Sequence, residues 1–253
     1  AATITGTATF NSTNNAITDS GTLTIAGAST FNSGTANLDL NEAASSFGDL
    51  TITSAEAYVS DSGALTASNV QADKVQLKAG SGISATSTGV TEFAAESDSG
   101  DISITNTGGY AISDFASTSG ITGVRFTDSD ATGTITLIAN SPLTINAPVD
   151  AGKGALQLTA AGSESTDDVT VNAAISGGAI AVDAGDSIAV NSGGVTSTSL
   201  SLTASNDISV NTPIIATTAN LNAGDQISLE SGNPTAAHLA YSRARPGCHR
   251  RPR

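Results

Sequence analysis

The sequence predicts an all-β solenoid, a single-stranded parallel β-helix with coils of about 19–24 residues. Three observations lead there. Between Thr134 and Gly232 the chain falls into rows that repeat one short pattern. Within each row apolar and small polar residues alternate with period two, which is the signature of strands with one buried face. And the interior available to this composition is thin. Trp and Met are absent, and Leu, Ile, Val and Phe together supply only 52 of 253 residues. That content lies near the border below which a chain fails to fold, so the core has to be built from small and β-branched side chains.

The rows justify each element in turn. The first strand of each is ITLIA (135–139), LQLTA (156–160), IAVDA (180–184), LSLTA (200–204) and NLNA (220–223). The second is LTIN (143–146), VTVN (169–172), IAVN (188–191), ISVN (208–211) and ISLE (227–230). Leu137, Leu158, Val182, Leu202 and Leu221 mark the repeat, at spacings of 21, 24, 20 and 19. Periods of this length indicate solenoids. A third apolar position follows each asparagine, at Val149, Ile175, Val195 and Ile214 or Ile215. No apolar face recurs at three- and four-residue steps, so helices are not expected.

Upstream the pattern loosens. Leu38–Leu40 with Leu50–Ile52, Val75–Ala79 with Ile83, and Phe93–Ala95 with Ile102–Asn106 each make a row. The repeated TFNS near the start suggests two further turns. Residues 107–133 form the one long irregular stretch, either a longer coil or a protruding loop. Twelve or so coils at ~4.8 Å each give a rod of about 55 Å. The β-helix is expected over 1–232 as one domain. Residues 233–253 read as an aberrant basic tail, disordered or not native, because it breaks every upstream pattern and holds the single cysteine, Cys248.

Asn146, Asn172, Asn191 and Asn211 occupy the same place after the second strand, with Asn106 a further expected member and Glu230 in the last row. Stacked amides carry both donors and an acceptor and can form a ladder along the axis. Asn also tolerates a left-handed corner. The alternative use, as ligands for sugar or Ca²⁺, does not require a copy in every coil. The other repeated element is a Gly-Asp corner: Gly48-Asp49, Gly100-Asp101, Gly185-Asp186 and Gly224-Asp225, with Asn206-Asp207 as its variant. There Gly is expected to supply a positive φ and Asp to hydrogen-bond nearby N–H groups. The nine-residue calcium repeat and the twelve-residue calcium loop are both missing from these corners.

The remaining chemistry is sparse. No GxSxG, HExxH or CxxC occurs, and both histidines, His238 and His249, lie near the end. AGKGAL (151–156) lacks the spacing of a phosphate-binding loop and leads into a strand. Asp167-Asp168 and Asp128-Asp130 are the candidate carboxylate pairs, with Arg125 and Lys153 as conceivable partners. Tyr110, Phe115, Arg125 and Phe126 fall in the irregular stretch and make it the candidate surface contact loop; the competing reading caps a widened coil with the three rings. No catalytic residue, metal ligand or cofactor is assigned. Before Ser242 the chain holds 23 acidic and four basic residues, a charge of −19, which repels nucleic acid. No run of ~18 apolar residues suits a membrane span, so no membrane insertion is expected of this segment.

The pattern LxLxAxxDIxVN, seen in LSLTASNDISVN (200–211) and AIAVDAGDSIAVN (179–191), resembles the repeats of filamentous-haemagglutinin-like bacterial exoproteins. The resemblance is good over 134–232, weaker over 36–106 and vague before that. It implies a right-handed β-helix in a large two-partner-secreted adhesin. From it follow the expectations of a non-catalytic, extracellular stalk or adhesin segment at the bacterial cell surface, touching a host or neighbouring-cell glycan or protein. The chain begins AATITG, without Met, and is expected to continue into further repeats. The alternative is a carbohydrate-active β-helix enzyme, a polysaccharide lyase or glycoside hydrolase. A pair of β-sandwiches is the third reading, and it would lack in-register stacking of the rows.

Overall fold

In the computed structural model, residues 1–115, 119–230 and 235–243 are described. They form about 12 stacked turns of parallel strands, with no helix among them. The expected markers stack in one inward column: Leu137, Leu158, Val182, Leu202 and Leu221 pair in sequence, coil upon coil. Upstream the same column runs through Leu50, Ala67, Ala85 and Ile104. A second face is built by Leu143–Ile145, Val169–Val171, Ile188–Val190, Ile208–Val210 and Ile227–Leu229. A third face is short and runs straight into the next long strand, as at Ile175–Ala184, Val195–Ala204 and Ile214–Ala223. Alternation puts Ile180, Val182, Ile188, Val190 and Val195 inside a single coil, all 2% exposed or less. Burying each contributes roughly 1.5–3 kcal/mol, and neighbouring coils supply the walls.

Upstream, the phase differs from the expected rows. Val75 and Phe93 lie on the second face, whereas Ile83–Ser87 and Ile102–Asn106 lie on the long face with Thr134–Ala139. The Asn that ends ISITN therefore marks a different strand from the Asn that ends LTIN. The first turns carry a small third side, Ala2–Ile4, Leu23–Ile25 and Ser46–Phe47. The coils that follow, from Leu65 to Asn106, drop it and are shorter, with Leu50 on Ala67, Ala67 on Ala85 and Ala85 on Ile104. Their smaller cross-section is filled by Ala67, Ala85 and Ala95 where later coils carry larger side chains. At the start, the two TFNS segments pair in register, Phe10 on Phe31 and Asn11 on Asn32. The Phe10 and Phe31 rings stack at 4.7 Å, and Phe47 meets Phe31 edge-on at 6.0 Å.

The irregular stretch is both a longer coil and a protrusion. Ile104 pairs with Leu137, a far longer advance along the chain than the step from Ala85 to Ile104. Within that span the strand Glu92–Ser97 is continued by two separate strands, Tyr110–Ile112 and Val124–Phe126. Between these an antiparallel hairpin, Asp114–Phe115 with Ile121–Thr122, leaves the coil. Gly123 closes it at φ +69°, where a Cβ would meet the Pro148 carbonyl of the next coil. From this point on the coil has three sides again, through Val149–Asp150 and its successors. Beyond the boundary expected at 232, Thr235–Arg243 forms a further strand paired with Ile214–Ala223. Cys248 and His249 lie outside the described residues.

Candidate functional site

The asparagine ladder runs along the outside of the rod. Asn172 Nδ2 donates to Asn146 Oδ1 at 3.0 Å, Asn191 to Asn172 at 3.0 Å, and Asn211 to Asn191 at 3.3 Å. None of these four has a positive φ; Asn14 is the one described non-glycine residue that does. Amide-to-amide bonding, not corner geometry, is thus what selects asparagine here. All four are exposed, so water competes and each rung is worth the low end of ~0.5–1.5 kcal/mol. Asn191→Ala removes two rungs; it should lower the melting temperature by a few degrees in calorimetry and leave partner binding unchanged. Asn106 is not part of this ladder. It is fully buried on the long face, accepts from Ser87 Oγ at 2.8 Å and Gly89 N at 3.3 Å, and donates to the Val90 and Gly109 carbonyls.

The Gly-Asp corners hold one coil to the next. Of their glycines only Gly100 has a positive φ, +80°. At Gly48, Gly185 and Gly224 the reason for glycine is close approach: a Cβ would run into a backbone carbonyl of the preceding coil, that of Gly27, Gly162 and Ser205 respectively. Three of the five aspartates reach forward to the following coil. Asp101 Oδ1 accepts Thr134 N at 2.8 Å, Asp207 Oδ1 accepts Gln226 N at 2.9 Å, and Asp49 accepts both N and Oγ of Ser68. A side chain spent on the neighbouring backbone is a staple between turns.

Of the four residues in the candidate contact loop, the structure buries three. Tyr110 and Phe126 lie in the main core, and Phe115 packs with Ile121 against Ala94 and Tyr58 on the outside of the second face. The hairpin therefore folds back over the rod as a small outer cover, and the rings are packing groups. Arg125 alone of the four is solvent-exposed. The Tyr110 ring lies edge-on to Phe93 at 5.3 Å, and its hydroxyl has no hydrogen-bond partner among the described residues. Burial pushes the Tyr110 phenol far above its usual range. Because an unsatisfied buried hydroxyl costs about 1–3 kcal/mol, Tyr110→Phe should match or exceed the wild type in urea denaturation, by up to ~1 kcal/mol.

A charge ladder on the second face has no place among the motifs of the rows, although Glu56, Lys74 and Glu92 recur at equal spacing. Lys74 sits between Glu56 at 3.8 Å and Glu92 at 3.9 Å. Further along the same strands, Glu96 accepts from Arg125 Nε at 2.7 Å and lies 3.5 Å from Lys78. Lys153 pairs with Asp130 at 2.7 Å. All four basic residues of the acidic body thus sit against carboxylates, and opposite charges facing across strands stabilise the sheet. Beside this ladder lies a depression of about 150 Å³ lined by Asn37, Asp39, Glu56, Tyr58 and Gln76.

The candidate carboxylate pairs are engaged locally. Asp167 is buried and accepts Glu164 N at 2.6 Å; Asp168 accepts Ser187 N at 3.0 Å, and its pKa is raised chiefly by burial. Asp128 accepts Asp130 N at 2.9 Å within a turn. Asp61, which belongs to no motif of the rows, accepts Phe47 N and Gly63 N, both at 2.7 Å, while burial raises its pKa. Among the described residues no three His, Cys, Asp or Glu side chains gather as a metal cluster.

Stacked coils, an amide ladder and carboxylate staples define a β-solenoid repeat protein. Residues 1–54 match a family described as repeats of unknown function (DUF5649). That match covers the segment where the resemblance of the later rows is vague and the start of the one where it is weaker. No curated protein and no solved structure matched the chain.

Proposed function

We propose that this chain is a non-catalytic stalk or adhesin segment of a large bacterial surface or secreted protein, of the filamentous-haemagglutinin-like kind. It acts outside the cell, where it holds a contact surface at a distance. The observation that carries this reading is the in-register stack of about 12 turns, fastened on its outside by the asparagine ladder. Such a stack supplies length and stiffness, because each coil rests on its neighbours. The acidic body keeps rods apart in solution. Partners in this role are host or neighbouring-cell glycans or proteins. Of the candidate carboxylates, Asp128, Asp167 and Asp168 accept backbone amides and Asp130 pairs with Lys153, which favours a structural use for them. A glycan array run beside a polysaccharide-degradation assay tests the proposal. Saturable binding without product supports it, and turnover of any polysaccharide overturns it.

A further inference from the structure

We propose that the depression beside Tyr58 binds one uncharged sugar ring, which Tyr58 supports on its apolar side and Asp39 holds through its hydroxyls. The proposal deepens the contact role given above and rests on it, the ring being one unit of the glycan that the rod meets.

The depression lies where a column changes its chemistry. Phe93 pairs with Ile112 and Ile112 with Ile145, and the column continues through Val171, Val190 and Val210. Each asparagine of the ladder stands one residue beyond these later positions, as Ala94 stands one beyond Phe93. Upstream of Ala94 the same outer column runs through Gln76, Tyr58 and Asp39. Downstream, identical amides satisfy one another. Upstream, three different side chains take their place, and stacking does not account for the choice. Asp39 Oδ1 is buried and has no hydrogen-bond partner among the described residues. An acceptor left so is costly. The carboxyl turns easily about its last bond toward the depression that it lines.

Size, lining and charge select the ligand. A volume of about 150 Å³ is well below the ~300–1,000 Å³ of a cleft for a drug-sized molecule, so it suits a single ring. The lining mixes donors with acceptors: Asn37 and Tyr58 can donate, and Asp39 and Glu56 accept. A metal ion or a basic side chain uses acceptors alone, whereas each sugar hydroxyl both donates and accepts. Burial first, and then the charges of Asp39 and Glu96, raise the Tyr58 phenol above its usual range, so it stays a donor. Its half-buried ring packs against Ala94, Phe115 and Ile121. The hairpin thus fixes the ring in advance, and a ligand need not order it. An aromatic side chain of this kind offers apolar carbon to the C–H side of a sugar and keeps a polar tip. An anionic sugar would meet Asp39 and Glu56 without a cation to spare, because all four basic residues before Ser242 already sit against carboxylates.

Saturation-transfer NMR on the full chain tests the site. Glucose, galactose, mannose and N-acetylglucosamine serve as neutral probes, glucuronate as the anionic one and arginine methyl ester as the basic one. At least one neutral sugar should bind, in the millimolar range usual for so small a ligand, and glucuronate should not. Asp39→Asn keeps the shape of the side chain and should weaken binding about tenfold, the difference between a charged and a neutral acceptor. Tyr58→Ala should abolish it, and Asp39→Asn keeps the test independent of any loosening of the hairpin in that variant. Failure of every neutral sugar to bind, binding of arginine methyl ester in their place, or sugar binding untouched by Asp39→Asn overturns the inference. The glycan array separates this from the wider reading. Array binding that survives both variants sinks the Tyr58 site alone, whereas an array blank for the unaltered chain removes both.

Discussion

Asn106→Ala is expected to destabilise the protein by about 3 kcal/mol, several times the effect of Asn191→Ala. The two residues follow similar strands, but their surroundings differ. Asn191 hangs in solvent and exchanges amide bonds for water when removed. Asn106 is fully buried and binds four groups: the Ser87 hydroxyl, the Gly89 N–H and the carbonyls of Val90 and Gly109. These groups shape the turns on either side of two consecutive coils. Alanine leaves them facing a small dry gap, and each unsatisfied buried group costs about 1–3 kcal/mol. Ser87 retains a longer contact to the Thr105 carbonyl at 3.3 Å, which limits the total. Urea denaturation of the two variants side by side measures the difference. An Asn106→Ala loss no larger than that of Asn191→Ala would show that this side chain does not organise the turns.

Phe93→Ala should cost still more, about 3–5 kcal/mol, the usual range for deleting a buried ring. Phe93 is fully buried where Glu92–Ser97 divides into two strands, stacked between Val75 and Ile112 and edge-on to Tyr110. Collapse cannot fill the void easily, because the backbones of the neighbouring coils are held by their own ladders. Since each coil contacts only its neighbours, the damage should also be local. Hydrogen exchange ought to speed up first in Lys74–Ala79 and Tyr110–Ile112, while Ile208–Val210 stays protected. Uniform loss of protection along the whole rod would contradict the nearest-neighbour description. The Tyr110→Phe variant is the matched control, since it keeps the ring contact and removes only the hydroxyl.

The fold was legible because its signal is local. Alternation within ITLIA, LQLTA and LSLTA identifies strands with one inward face, and the return of the same pattern in row after row identifies coils. Markers Leu137 to Leu221 stack as their spacing requires. The ladder of Asn146, Asn172, Asn191 and Asn211 was legible for the same reason: a fixed place in a repeat becomes a column in space.

Other features depend on quantities that no short window contains. Which face a strand joins is the sum of every turn in its coil. Shorter coils between Leu50 and Ile104 therefore shifted the phase, and Asn106 moved from the outer ladder to the core. Glycine at the corners looked like a need for positive φ, whereas at Gly185 and Gly224 the constraint is the carbonyl of the coil before. The rings of Tyr110, Phe115 and Phe126 stand in a sequence as irregular as any exposed loop. Only the hairpin's return onto Ala94 and the widening of the coil bury them. What the sequence by itself determined is the period and the inward alternation, because these act within one strand and its copies. What the tertiary structure alone decided is phase, close approach and burial outside the repeat, because these arise where separate coils meet.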